Sequence, residues 1–153
     1  MNHYETLLET AFTSGLDVKE KPLQASDGRI RGNRIAIRKD IETSNRKADI
    51  LAEELGHHYT TVGDILDLSC AQNRKQERQA RFWAYNKRIG LQGLIKAFES
   101  GCKCRHEVAE YLEVTELFLQ EAIECYQDKY GTGISVDNYY IMFIPNLQIL
   151  KLI

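Results

Sequence analysis

The sequence is short of most features that mark a specialised class. No run of about 18 uncharged apolar residues occurs, so no membrane-spanning helix is expected. Met1-Asn2-His3-Tyr4-Glu5 leads into further acids, without the apolar segment of a secretory leader. An excess of charge of one sign is also missing: 20 Lys and Arg face 22 Asp and Glu, a formal net charge of −2. That excludes a global attraction for nucleic acid or an anionic membrane, so any contact with DNA would need a local patch. With 2 prolines and 10 glycines, the chain is neither collagen-like nor low-complexity. The four cysteines, Cys70, Cys102, Cys104 and Cys125, are not read as a disulfide scaffold. Without a secretory signal, the expectation is reduced thiols and a cytoplasmic location. What remains is an ordinary globular composition, 43% apolar and 27% charged, in 153 residues. That length suffices for one well-cored domain.

Residues 3–13 place Leu7, Leu8, Ala11 and Phe12 on one side of a short amphipathic helix. After Asp27-Gly28-Arg29-Ile30-Arg31-Gly32-Asn33, the alternation in Arg34-Ile35-Ala36-Ile37-Arg38-Lys39 predicts a half-buried strand. Residues 16–39 read as a small antiparallel sheet of two or three strands, with the charges of Arg34, Arg38 and Lys39 suited to an edge. Thr43-Ser44-Asn45 offers N-caps for a helix running to about residue 60. A loop with Gly63 and Asp64 follows, then helices over about 73–88, 91–100, 105–112 and 115–130, the last stopped by Gly131 and Gly133. Tyr139-Tyr140-Ile141-Met142-Phe143-Ile144 and Gln148-Ile149-Leu150-Lys151-Leu152-Ile153 predict a strand pair turned at Pro145-Asn146. The expected class is α+β, in a single domain with strands at both ends and helices between.

The helix at 45–60 separates its residues by face. At about 100° per residue, Ala48, Leu51, Ala52, Leu55, Tyr59 and Val62 share one direction, the core stripe. His57 lies opposite, with Glu53 one turn earlier and Glu54 beside it. His58 borders the stripe, so His57 is the candidate ligand and His58 a packing histidine. A metallopeptidase helix needs two ligands at i and i+4 on one face, and a carboxylate at i+1 to take a proton from water. Glu53, Glu54 and His57 have that spacing. A third ligand must come from another element. Glu77 heads an apolar stripe with Ala80, Trp83 and Ala84 and should point inward, where a carboxylate needs a partner. Metal ligation would provide one; pairing with Arg74 or Arg81 at helical spacing is the plainer alternative.

Two other features carry weaker chemistry. Cys102-Lys103-Cys104-Arg105-His106 spaces its cysteines more tightly than structural zinc sites do, and reads as a loop with free thiols. Residues 107–115 have the Ala–Val spacing of a DNA-binding helix-turn-helix. The helix after them, however, carries Glu116, Glu121, Glu124 and Asp128 against Lys129 alone, which does not suit phosphates.

Ile50-Leu51-Ala52-Glu53-Glu54-Leu55-Gly56-His57-His58-Tyr59 resembles the active-site helix of the ImmA/IrrE family of metallopeptidases. Asn73-Arg74-Lys75-Gln76-Glu77-Arg78-Gln79-Ala80-Arg81-Phe82-Trp83-Ala84 is similar to that family's second motif, a Glu followed by Ala and an aromatic-Ala pair. The resemblance covers about residues 15–130. It implies a zinc endopeptidase with a catalytic core at about 1–88 and a helical and strand portion at about 89–153. The implied metal ligands are Glu53, His57 and Glu77, with Glu54 as general base. It implies a protein partner as well, since several members are encoded beside helix-turn-helix repressors of phages or mobile elements, which they cleave or help inactivate.

One departure bears on all of this. The family's helix motif is His-Glu-x-x-His, and Glu53 stands where the first His belongs. A Glu carboxylate reaches about as far as an imidazole nitrogen, so a metal can still be held. Two anionic ligands, however, acidify water less than a two-His site and select less sharply for zinc over manganese. Two readings stay open: an active endopeptidase, and a peptidase fold that binds its partner without cutting it. Three accessory roles are also expected. A substrate strand would add alongside Arg34, Ile35, Ala36, Ile37 and Arg38. Asp64 would orient His57. A hydroxyl from Tyr59 or Tyr85 could in principle meet the oxyanion, but Tyr59 falls on the core stripe and spacing does not fix the direction of Tyr85.

Overall fold

The structure, a computed structural model, describes residues 2–60 and 71–152. The chain divides into two compact units, Met1–Ala84 and Tyr85–Ile153. Together they are α+β: six helices and six strands among the described residues.

In the first unit, α1 (His3–Thr13) starts on a capping box. The Asn2 side chain accepts the Glu5 N–H at 2.8 Å, and the Glu5 carboxylate accepts the Asn2 N–H at 3.3 Å. Leu7 and Ala11 are buried as expected, but Phe12, expected beside them, is 83% exposed. It sits in the last turn, where the chain leaves the core.

β1 (Asp17–Lys21), β2 (Gly28–Arg31) and β3 (Arg34–Arg38) form one sheet in the order β1-β3-β2. β2 is antiparallel to β3 and β1 is parallel to it, so the sheet is mixed rather than antiparallel. β3 is therefore the central strand. Its charges had suggested an edge, but Arg38 is neutralised locally: its guanidinium meets Asp27 at 3.2 Å and Asp40 at 2.7 Å. Ile35 and Ile37 are buried. With β1 on one flank and β2 on the other, the backbone of Arg34, Ile35, Ala36, Ile37 and Arg38 has no edge left for a substrate strand.

α2 (Ser44–Thr60) lies against α1, β2 and β3, burying Ala48, Ile50, Leu51, Ala52 and Leu55. α3 (Ala71–Arg88) begins in this unit, and the boundary falls within it, after Ala84.

The second unit holds α4 (Gly90–Glu99), α5 (Arg105–Leu112) and α6 (Glu116–Tyr130), followed by β4 (Gly133–Val136), β5 (Tyr139–Met142) and β6 (Gln148–Lys151). Thr115 caps α6 by accepting the Phe118 N–H at 3.1 Å. The three strands are antiparallel in the order β4-β5-β6, one strand more than the pair expected. Gly133, read as a helix stop, opens β4. A Cβ there would collide with the Ile141 carbonyl and the Tyr140 ring, so this close pairing needs glycine. Phe118, Leu119, Tyr126 and Ile141 are buried at the centre of the unit. Cys102, Cys104 and Cys125 are free thiols, as the composition implied; Cys70 lies outside the described residues. Among the described residues, no helix is long and apolar enough to cross a membrane.

Candidate active site

The last two turns of α2 and the middle of α3 meet at a backbone contact. A Cβ on Gly56 would lie well within the van der Waals contact distance of the Ala80 carbonyl oxygen and 3.0 Å from its carbonyl carbon. Ala80 is wholly buried. Glycine inside a helix costs about 1 kcal/mol relative to alanine, and here that cost is what lets the helices approach. The next residue is His57. Its Nε2 stands 3.2 Å from Oε2 of Glu77, one turn before Ala80 on α3. Both side chains are mostly covered, at 18% and 25% exposed. The second Glu77 oxygen accepts from Arg81 Nε, also at 3.2 Å. Glu77 thus makes the plainer pairing with Arg81 through one oxygen and meets His57 through the other.

Glu54 faces a different neighbour. Gly28, at the start of β2, sits so close that a Cβ there would lie 3.0 Å from Glu54 Oε1 and 2.7 Å from an Ile50 methyl. The strand covers the carboxyl and withdraws it from water. Burial, with the charges of Glu53 and Glu77 added and His57 opposing, pushes the Glu54 carboxyl up to about 7. Burial also works against charge on His57, but the hydrogen bond to Glu77 and the charges of Glu77, Glu54 and Glu53 outweigh it and raise its pKa. Glu77 is held below the usual carboxylate range by its hydrogen bond to His57, against burial, with further help from the His57 and Arg81 charges. Glu53 is half-buried, and its charge acts on both Glu54 and His57.

The site is assembled around one contacting pair. Among the described residues, no group of three or more His, Cys, Asp or Glu is arranged to hold a metal ion. His57 and Glu77 are in contact, while Glu53 and Glu54 act on His57 through charge. Asp64, and Val62 of the expected core stripe, lie outside the described residues.

Beside the pair runs an aromatic row. Tyr59 stacks on Trp83 with centroids 5.1 Å apart, and His58 meets Tyr59 edge-on at 4.9 Å. This corrects two expectations. Tyr59 is 44% exposed rather than part of the core stripe, and His58 is exposed rather than packed. The apolar stripe of α2 ends at Leu55. The Tyr59 hydroxyl is engaged by the Ser14 hydroxyl. Tyr85 is buried in the second unit, its ring against Phe118 and its hydroxyl donating to Glu121 at 3.4 Å.

The residues that sequence reasoning missed are Gly28 and Gly56. Gly56 carried a signal, as a glycine at an interior helical position one residue before the candidate ligand. Gly28 lay in the stretch before the predicted strand and carried no signal of a site.

Residues 12–124 match the family model described as the IrrE N-terminal-like domain, a peptidase family. No curated protein and no solved structure matches the chain. The match covers most of the sequence, including both helices that meet at Gly56 and Ala80, and the chain belongs to the ImmA/IrrE peptidase family.

Proposed function

We propose that the protein is a metal-dependent endopeptidase in which Glu53, His57 and Glu77 hold a zinc or manganese ion and Glu54 is the general base. The observation that carries this reading is the His57–Glu77 contact. Two ligand atoms on a tetrahedral ion with bonds of about 2.0 Å lie roughly 3.3 Å apart. Nε2 and Oε2 stand at 3.2 Å, the separation of the hydrogen bond that joins them and also that of two donors on one ion, so a divalent cation can take the place of the imidazole proton. Glu53 is the third donor by its place one turn before His57 on α2.

When bound, the ion supplies a Lewis acid for the scissile carbonyl and for the attacking water. The chain's own residues supply the rest. Arg81 holds one oxygen of Glu77 and leaves the other facing His57. Glu54, whose carboxyl burial pushes up to about 7 in the metal-free protein, takes the proton from water and returns it to the leaving amine. The resemblance supports the substrate class, a helix-turn-helix repressor of a phage or mobile element. Direct binding of duplex DNA is not part of the reading, because α6 carries Glu116, Glu121, Glu124 and Asp128.

A second reading has two observations in its favour. Glu53 stands where the family has His, and no three-residue metal group is arranged among the described residues. A peptidase fold that binds the repressor without cutting it would look the same. Elemental analysis of protein purified without chelating resin, beside His57→Ala, tests the metal: about one ion per chain, lost in the variant, is expected. Incubation with a helix-turn-helix repressor, followed by mass spectrometry, tests cleavage. Glu54→Gln should keep the metal and abolish the fragments. Bound repressor that stays intact with wild-type protein would establish the second reading.

A further inference from the structure

The second unit carries a groove that the peptidase reading does not use. Its volume is about 680 Å³, with Val108, Ile123 and Phe143 among its apolar lining. One side is strand β6, through Gln148, Ile149 and Leu150. Among the described residues β6 pairs only with β5, so its other edge is open. Leu150 is 48% exposed. An open, apolar strand edge of this kind is a template for another strand. The family match ends at residue 124, so β5 and β6, which build this side, lie beyond it.

The charges select the occupant. Lys103 and Arg105 line the groove, and no carboxylate does. The Arg105 guanidinium donates to the Gln120 side chain, another lining residue, at 2.6 Å. Nothing acidic in the lining offsets the two cations. A second copy pairing through its own β6 would bring Gln148-Ile149-Leu150-Lys151, with no acid, against them. An acidic segment would complement them.

We infer that β6 and its groove dock an extended peptide segment of a partner protein, added as a fourth strand, with apolar side chains entering the groove and a carboxylate meeting Lys103 and Arg105. The affinity comes from main-chain hydrogen bonds to the open edge, and the selectivity from the alternate side chains and the acid. This rests on the second unit alone and would stand whether or not His57 and Glu77 hold a metal. Loss of either reading leaves the other intact.

The test uses the 153-residue chain and a fluorescein-labelled nonapeptide of alternating valine and threonine ending in two glutamates. Its counterpart ends in two lysines. Anisotropy should show binding of the acidic peptide and at least about tenfold weaker binding of the basic one, from two ion pairs lost and reversed. Hydrogen exchange should slow at Gln148–Lys151 when the acidic peptide binds. Lys103→Glu with Arg105→Glu, both exposed positions, should reverse the preference between the peptides. Equal affinity for both peptides, or protection outside β6, would overturn the proposal. So would dimerisation through β6 that excludes the peptide, or binding of decanoate but no peptide.

Discussion

Metal-capable side chains gather twice along this chain, around His57 and around Cys102–His106, and only the first gathering is held in place by packing. His57 and Glu77 are about three-quarters or more covered, on helices locked at Gly56 and Ala80. His106 is 72% exposed; its two nitrogens stand 3.7 Å from Glu110 and 3.5 Å from Glu116, which are also open to water. Cys104 is exposed, and the Cys102 thiol donates to the Glu107 carbonyl. Similar residue types are present in both places. Holding long, solvated side chains in one geometry costs rotamer entropy that an exposed ion pair scarcely recovers. Sequence spacing provides the opportunity for a site, and the backbone contact beneath it decides whether one forms.

The sharpest way to break the comparison is Gly56→Val. The added carbons meet the Ala80 backbone, which cannot rotate aside as a side chain would. Destabilisation of about 3 kcal/mol or more is expected in urea unfolding, and metal content should fall with it as Glu77 moves off His57. If Gly56→Val retains both stability and metal, the helix contact is not what builds the site.

His57→Ala should cost less, about 1–2 kcal/mol in metal-free protein. It leaves the mostly covered Glu77 carboxylate with Arg81 but without its imidazole partner. The matching His106→Ala should change the urea midpoint hardly at all. Equal losses from the two variants would mean that packing does not distinguish the two gatherings.

How much of this was legible follows the range of the interactions involved. Helix periodicity is local, and the helices were placed nearly to their ends, with His57 correctly set on the face away from Leu51 and Leu55. Strand pairing is not local. The pattern of Arg34–Arg38 identified a strand but could not reveal that Asp27 and Asp40 absorb the charge of Arg38, or that β1 returns parallel on its far side. Helix ends misled for a related reason. The stripe that places Leu55 inside extrapolates to Tyr59, but burial requires something to pack against, and at Tyr59 the partner is Trp83 rather than the core. The His57–Glu77 pair was readable as a motif, while the glycine that makes it possible was readable only as an oddity of composition.

A third site calibrates the scale between these extremes, since no metal is read there. Glu20 on β1 accepts from Lys47 Nζ at 2.9 Å and from the Tyr4 hydroxyl at 3.1 Å, tying α1, β1 and α2 together. Its carboxyl is 36% exposed. The Lys47 hydrogen bond holds the Glu20 pKa below the ordinary value of 4.5, against some burial, with help from Tyr4. A lowered carboxyl stabilises the fold above its unfolded pKa and loses that contribution as pH falls through the folded value. Tyr4 is shifted upward, by burial first and then by the Glu20 charge, so its phenol stays protonated and donating until pH rises beyond the ordinary tyrosine range. The network should therefore act from just above 4.5 to about 10. Lys47→Met should reduce stability by less than about 1 kcal/mol at pH 7, as suits a partly solvated pair. Its deficit against wild type should shrink as the pH is lowered below 4. Urea titrations of both proteins across pH 3 to 8 would show this. A deficit that stays constant down to pH 3 would mean that Lys47 acts through the attraction of its ammonium to the Tyr4 ring, 5.9 Å away, and not through the Glu20 charge.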